Sequence, residues 1–260
     1  MSRPARPLPA APGVAATTPL DGDPLVSVLI PAFNEAATLP AVIDRVSALP
    51  FRTELIVVDD GSTDATPEVL ASLGHERAAG LSVVRLPVNR GKGAAVRTAI
   101  AKSTGDIVVV QDADLEYDPT DLPRLLAPIV DGHADVVYGT RLRGGQAQRA
   151  HLFWHYAGNR FLSLLTDVLY NTTISDMEVG YKAFRGELVR DIPLVSERFG
   201  FEPEITAKLL RRGGVRIYEV PIAYYGRSYS EGKKITWRDG IRAVGALVRF
   251  RVERPLRRPG

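Results

Sequence analysis

The sequence predicts an α/β protein built on a doubly wound, mostly parallel central sheet, and three observations carry that prediction. Short β-branched runs alternate with helical stretches from Leu25 onward; the runs are continuously apolar, as in Ile107 to Val110; and clusters of Asp, Asn and Gly follow one run after another. A strand that is apolar on both faces must be covered on both faces, which is what crossover helices do for parallel strands.

The elements follow in order. Val26 to Ile30 reads as a strand and is followed by a helix around Glu35 to Leu49; Glu54 to Val58 precedes a helix around Asp64 to Leu73. Ser82 to Leu86 leads into a helix over Gly91 to Ser103, and Ile107 to Gln111 leads through a loop to a helix near Asp121 to Val130. Ala134 to Tyr138 is a fifth strand. The alternation then weakens: amphipathic stretches at Tyr156 to Tyr170 and Glu202 to Arg212 flank a short apolar segment near Val179 to Phe184. Val215 to Val220 and Ile222 to Tyr225 read as strands, and Trp237 to Phe250 as the last helix. There is no internal repeat, so the expected organisation is one domain over 25–236, a Pro/Ala-rich disordered arm over 1–24 and a basic amphipathic helix and tail over 237–260.

Composition narrows the function. The 260 residues hold 33 Lys+Arg, 30 Asp+Glu and no cysteine, which excludes disulfide scaffolds, thiolate zinc sites and thiol nucleophiles. No run approaches the ~18 apolar residues of a membrane span, and the prolines of the arm interrupt any secretory leader. The expectation is a cytoplasmic protein, with peripheral attachment to the cytoplasmic face of a membrane left open. The basic charge sits at the C-terminus, where residues 238–260 hold seven arginines and two acids. Arg242, Arg249 and Arg251 interleave with Ile241, Val244, Leu247, Val248 and Phe250, a pattern that suits an anionic lipid surface and equally a helix docked on the domain. No aromatic-rich basic groove accompanies them, so nucleic acid is not an expected partner.

In an open parallel sheet, ligands collect at the carboxyl ends of the strands. Four polar clusters fall there: Pro31 to Glu35, Asp59 to Asp64, Asn89 to Gly93, and Gln111 to Glu116. Asp112 and Asp114, next to Glu116 and directly after a buried strand, would be costly to desolvate unless a cation or hydrogen bonds compensated, and Mg²⁺ or Mn²⁺ takes one or two carboxylates plus substrate phosphates; equally open is a helix cap at Asp118 or Asp121 with the other acids in solvent. Asp64 suits a helix N-cap, whereas capping leaves Asp59 and Asp60 unexplained. Arg90 and Lys92 bring positive charge to a helix start, but Lys92 is followed by Gly93 and Ala94, which excludes a Walker-type loop. Arg141 and Arg143 follow the fifth strand, and Arg227, Lys233 and Lys234 surround a glycine; each loop alone reads first as solvated surface, and the two together suit phosphorylated ligands. Asp176 and Glu202 to Glu204 are the remaining acids beside apolar runs, with helix capping the structural explanation at Glu204.

This ordered set resembles the family 2 glycosyltransferases of the GT-A fold, in particular the polyprenyl-phosphate sugar synthases of the dolichyl-phosphate mannose type. The motifs are VLIPAFNE at Val28 to Glu35, VVDDGSTD at Val57 to Asp64, NRGKG at Asn89 to Gly93, QDADLEYDP at Gln111 to Pro119, YGTR at Tyr138 to Arg141, DMEVGYKAFR at Asp176 to Arg185, and RSYSEGKKI at Arg227 to Ile235. The resemblance implies a base and ribose pocket at Pro31, Phe33, Glu35 and Asp60, with Arg90 or Lys92 beside the nucleotide. It implies a metal and diphosphate site at Asp112, Asp114 and Glu116. Arg141, Arg227, Ser228, Lys233 and Lys234 become holders of the acceptor phosphate and donor diphosphate, and Asp114, Arg141, Asp176, Arg227 and Lys233 the catalytic candidates. Phe33 stands where tyrosine is usual. The implied reaction is inverting transfer of mannose, or next glucose, from GDP-mannose or UDP-glucose to polyprenyl phosphate, with Mg²⁺ or Mn²⁺. The alternatives are a soluble or saccharide acceptor, or a non-catalytic nucleotide-sugar binding protein. The QxxRW of processive synthases is absent after Glu204.

Overall fold

The computed structural model describes residues 20, 22–76, 80–144, 149, 153–226 and 237–253. The expected disordered arm therefore lies almost wholly outside the described residues, as do Arg227, Ser228, Lys233 and Lys234 and the last seven residues. Seven strands form one sheet in the order β3-β2-β1-β4-β6-β5-β7. They are β1 (Val26–Ala32), β2 (Thr53–Asp59), β3 (Leu81–Arg85), β4 (Ile107–Val110), β5 (Val136–Thr140), β6 (Lys182–Arg185) and β7 (Ile217–Pro221). All pair in parallel except β6, which runs antiparallel between β4 and β5.

Burial explains the continuous apolar runs. Val28, Leu29 and Ile30 of β1 and all of β4 are buried, although consecutive residues point to opposite faces, so both faces of the central strands are covered. The helices of the chain are α1 (Leu39–Ser47), α2 (Thr66–Glu76), α3 (Lys92–Lys102), α4 (Leu122–Val130), α5 (Phe153–Tyr170), α6 (Gly186–Arg190), α7 (Phe201–Arg212) and α8 (Trp237–Val252). The edge strand β3 is half exposed, as expected of a strand with one neighbour.

The structure differs from the sequence expectation in three places, and it settles α8 as a helix packed on the domain. Helix α1 starts at Leu39 rather than near Glu35, because Asn34 takes a left-handed φ of 57° and the Glu35 carbonyl accepts the N–H groups of Thr38 and Leu39. The apolar segment near Val179 contributes the strand β6, and α6 follows it. The expected strand at Ile222 to Tyr225 is irregular chain with a single bridge at Tyr224. Helix α8 docks on α5 and α7 through Ala243, Leu247 and Phe250, with Arg211 donating to the Phe250 carbonyl at 2.7 Å.

Truncating a side chain in the covered centre should leave a cavity that the sheet cannot close. Leu29→Ala is expected to lower stability by about 2–5 kcal/mol, whereas Val83→Ala on the exposed edge should change it by no more than about 0.5 kcal/mol; urea unfolding of the two variants makes the comparison.

Candidate active site

Six parallel strands aim their carboxyl ends at one edge of the sheet. Because β6 runs the other way, the chain just before it, residues 176–181, arrives at that same edge. Sequence order alone would not place Asp176 beside Arg141 or Gly180 against Asp112, but this reversal does.

The first two loops are bound to each other. Asn34 donates its N–H to the Ser62 hydroxyl at 2.9 Å and accepts the Thr63 N–H at 2.8 Å, and the Thr66 hydroxyl accepts the Glu35 N–H at 3.0 Å. Asp64 accepts from the Thr66 N–H, the expected cap of α2. Pro31, Phe33 and Glu35 stay half-buried at the mouth. Asp60 is turned inward: its two oxygens accept the N–H groups of Arg90 and Gly91 at 2.8 and 2.7 Å, so it fixes the third loop where the resemblance implied a ribose contact.

That third loop serves packing as well as charge. Gly91 has φ +100°, and a Cβ there would lie 2.7 Å from the Glu197 carbonyl oxygen, which also accepts the Ala94 N–H. The chain at Ser196 to Arg198 thus crosses over the start of α3, and the glycines permit the approach. The Arg90 side chain pairs with Glu197, both about half exposed, rather than pointing into the cleft.

Lys92 points into the cleft. Its Nζ lies 2.8 Å from Asp112 and 3.1 Å from Glu202 of α7. Burial opposes the charge, but the two carboxylates outweigh it and hold the ammonium well above its ordinary pKa. The expected triplet of metal ligands is not gathered: no group of three or more acidic or histidine side chains is placed to hold a metal among the described residues. The reason is local. Leu115 takes a left-handed φ of 60°, the Asp114 carboxylate accepts the Glu116 N–H at 3.1 Å, and the Glu116 carboxylate accepts the Tyr224 hydroxyl at 2.7 Å. Asp112 and Asp114 remain as carboxylates of the fourth loop, with Glu116 bound to Tyr224.

The other half of the cleft is organised by Arg141. Its Nε and Nη2 each lie 2.7 Å from a different oxygen of Asp176, a forked pair with Asp176 fully buried, and its backbone N–H donates to the same carboxylate. Although burial works against the charges, the pairing keeps Asp176 below and Arg141 above the ordinary range. The guanidinium also lies 5.0 Å from the centre of the Tyr224 ring, and Tyr224 leans on Tyr117, which stacks on Tyr181 at 4.7 Å. Arg143 is drawn away to Glu219, 3.0 Å distant. Glu219 in turn accepts the Ser175 N–H and hydroxyl, fixing the approach to Asp176.

Several of these groups had only a weak signal in the sequence. Tyr117 and Gly180 lie within quoted motifs, but nothing in their spacing shows that a Cβ on Gly180 would collide with the Asp112 carboxylate and lie 2.9 Å from the Tyr117 ring. Glu202 was legible only as an acid beside an apolar run. Glu204 does not cap its own helix; it accepts the N–H groups of Val195 and Ser196 at 2.8 and 2.6 Å. Lys182 is fully buried at the start of β6, donating to the carbonyls of Met177 and Val179, and burial pushes its pKa down. Oε1 of Glu178 is enclosed and meets no hydrogen-bond donor among the described residues.

Two outcomes follow from these burials. Asp176→Ala leaves Arg141 largely buried without its partner and should destabilise the fold by about 3–5 kcal/mol, measurable by urea unfolding. Burial, reinforced by Glu202, pushes the Glu178 carboxyl up from 4.5 to about 8. The folded state therefore holds this proton through a range in which the unfolded chain has released it, so the group lowers stability as pH rises from about 4.5 toward 8. Glu178→Gln removes that dependence, and its melting temperature relative to the parent should climb steadily between those limits.

The family model for glycosyl transferase family 2 matches residues 27–192. An undecaprenyl-phosphate 4-deoxy-4-formamido-L-arabinose transferase of Pseudomonas aeruginosa is 31% identical over 214 residues, 80% of this chain and 60% of that protein. Glycosyltransferase AglJ of Haloferax volcanii is 33% identical over 206 residues, 78% of this chain and 63% of that protein. The chain thus spans less than two thirds of the length of these curated relatives. Among solved structures, glucosyl-3-phosphoglycerate synthase from Mycobacterium tuberculosis with Mn²⁺, UDP and glucosyl-3-phosphoglycerate aligns with a TM-score of 0.67 and 26% identity, over 88% of this chain and 80% of that one. The same enzyme with Mn²⁺, UDP-glucose and phosphoglyceric acid gives 0.66 and 27%. With a family model that covers more than half of the sequence and a sheet of the same architecture, the chain belongs to glycosyl transferase family 2 and carries the GT-A fold.

Proposed function

We propose that the protein transfers a hexose from a nucleoside diphosphate sugar to a phosphate-bearing acceptor. The observation that carries this reading is the pairing of two half-buried cations, Lys92 and Arg141, with acids at the carboxyl edge of the sheet. Such charges are oriented before any ligand arrives, and a departing diphosphate that competes with Asp112 for the Lys92 ammonium would meet them already in place. UDP-glucose becomes the first donor to test, ahead of GDP-mannose, because the Mycobacterium tuberculosis structures contain UDP-glucose.

A divalent cation fits the residues present. Asp114 and Asp112 offer the one or two carboxylates that Mg²⁺ or Mn²⁺ takes when substrate phosphates complete its shell, and no all-protein cage is needed. When bound there, such an ion would neutralise charge on the diphosphate. The protein's own contribution is Lys92, kept protonated between Asp112 and Glu202, and Arg141, oriented by Asp176 and the Tyr224 ring. The mouth formed by Pro31, Phe33 and Glu35 suits a flat base.

The likeness to a phosphoglycerate-dependent enzyme over 80% of its length supports a soluble phosphorylated acceptor. A second reading, polyprenyl phosphate, is favoured by the apolar faces that α5 and α8 turn to solvent. The chemistry separates them: a phosphate oxygen is already ionised near neutral pH and attacks the anomeric carbon unaided, giving an acid-labile glycosyl phosphate. A hydroxyl acceptor must lose a proton and gives an acid-stable glycoside.

The test offers labelled UDP-glucose and GDP-mannose, with Mg²⁺ or Mn²⁺, to 3-phosphoglycerate and to polyprenyl phosphate in detergent. Labelled product with one acceptor, reduced about 10²–10³-fold by Asp114→Ala or Lys92→Met, is the expected result. Donor binding without turnover on either acceptor would leave a nucleotide-sugar binding protein instead.

A further inference from the structure

Helix α5 is amphipathic in an unusual sense, being apolar on its outer face as well. Leu162, Ser163 and Thr166 face the domain, while Trp154, Phe161, Leu164 and Val168 fall in one stripe on the opposite side at 100° per residue. Trp154 is 81% and Val168 73% exposed, and Phe153 packs edge-on against Trp154. Helix α8 repeats the arrangement. Its inner face is Ala243, Leu247 and Phe250, and Ile241, Val248 and Val252 form an outer ridge. The two helices are neighbours, with the Tyr170 hydroxyl donating to the Leu247 carbonyl at 2.7 Å and Arg251 Nε to the Leu169 carbonyl at 2.8 Å.

We propose that α5 and α8 together form a docking surface for an anionic lipid bilayer. Charge complementarity selects this occupant. Arg160 on α5 and Arg249 on α8 are exposed around the apolar stripes, where anionic headgroups would meet them, while the exposed Arg242 pairs with Asp239 at 3.0 Å. On a self-paired face the same arginines would be brought against arginines of the second copy. Trp154 suits the interfacial depth at which aromatic side chains settle. The surface also has a place in the proposed chemistry, because α5 follows the loop that carries Arg141, and α8 follows the segment that begins at Arg227. This link to catalysis rests on the polyprenyl-phosphate reading above; adhesion to the bilayer does not.

The test is co-sedimentation of the full chain with vesicles of neutral phosphatidylcholine, alone or with one third phosphatidylglycerol. Binding to the anionic vesicles, weakened about 30-fold by Arg160→Gln with Arg249→Gln at roughly a factor of five per arginine, is expected. Trp154→Ser with Val168→Ser should abolish it, while UDP-glucose binding stays at the parent level in both double variants. No binding to anionic vesicles, or binding that these substitutions leave intact, overturns the proposal. So does a dimer in sedimentation equilibrium that Trp154→Ser with Val168→Ser dissociates, which would assign the face to a second copy. Vesicle binding without sugar transfer to polyprenyl phosphate keeps the surface and removes only the lipid acceptor.

Discussion

The forked pair between Arg141 and Asp176 is the constraint on which the rest of the cleft depends. Bringing two charges out of water is unfavourable by several kcal/mol per ion, and only good geometry with every remaining donor and acceptor satisfied offsets it. Here three hydrogen bonds run from Arg141 to a single carboxylate, the Tyr224 ring covers the guanidinium, and Glu219 holds the preceding Ser175. Tyr224 is held there by the bond from its hydroxyl to Glu116, which ties the fourth loop to the ring that covers Arg141.

A second chain of charges runs behind it. Lys92 bridges Asp112 and Glu202, while Lys182 sits fully enclosed, its ammonium satisfied by two main-chain carbonyls and lying 4.5 Å from the centre of the Tyr138 ring. The two lysines share the influence of Glu202 but are treated differently. Lys92, with two carboxylates in contact, is held charged; Lys182, with carbonyls and a ring, is pushed toward neutrality by burial. The cleft therefore keeps its positive charge where a diphosphate would lie and lowers it one layer deeper.

How much of this was legible follows from range. Strands β1, β2 and β4 and the loops after them are local patterns, and buried parallel strands declare themselves through continuous apolar runs. The four-residue β6 does not, since its direction is fixed by its neighbours β4 and β5 rather than by its own composition. Tyr224 lay inside a β-branched and aromatic run that read as a strand, but its hydroxyl is bound to Glu116 more than a hundred residues earlier. The third loop read from sequence only as positive charge at a helix start; the crossing chain at Ser196 to Arg198 shows that close packing is what requires Gly91. Asp60 illustrates the same limit, because a carboxylate at a strand end can serve a ribose or a neighbouring loop, and spacing does not distinguish them.

The two acceptor readings make different demands on this architecture. A hydroxyl acceptor requires a base, and a base must be both unprotonated and within reach. Asp176 is unprotonated but has both oxygens committed to Arg141, and Glu178, pushed toward its neutral form, is a poor proton acceptor at pH 7. Asp112 is neutralised by Lys92 until a ligand competes for that ammonium. A phosphate acceptor asks less of these acids, because its nucleophilic oxygen arrives already ionised and needs only cations to align it against a second anion. The two acceptors would thus meet the same fixed cations, Lys92 and Arg141, and differ in whether a base is called on. The acid lability of the product therefore tests the site's proton inventory as well as naming its acceptor.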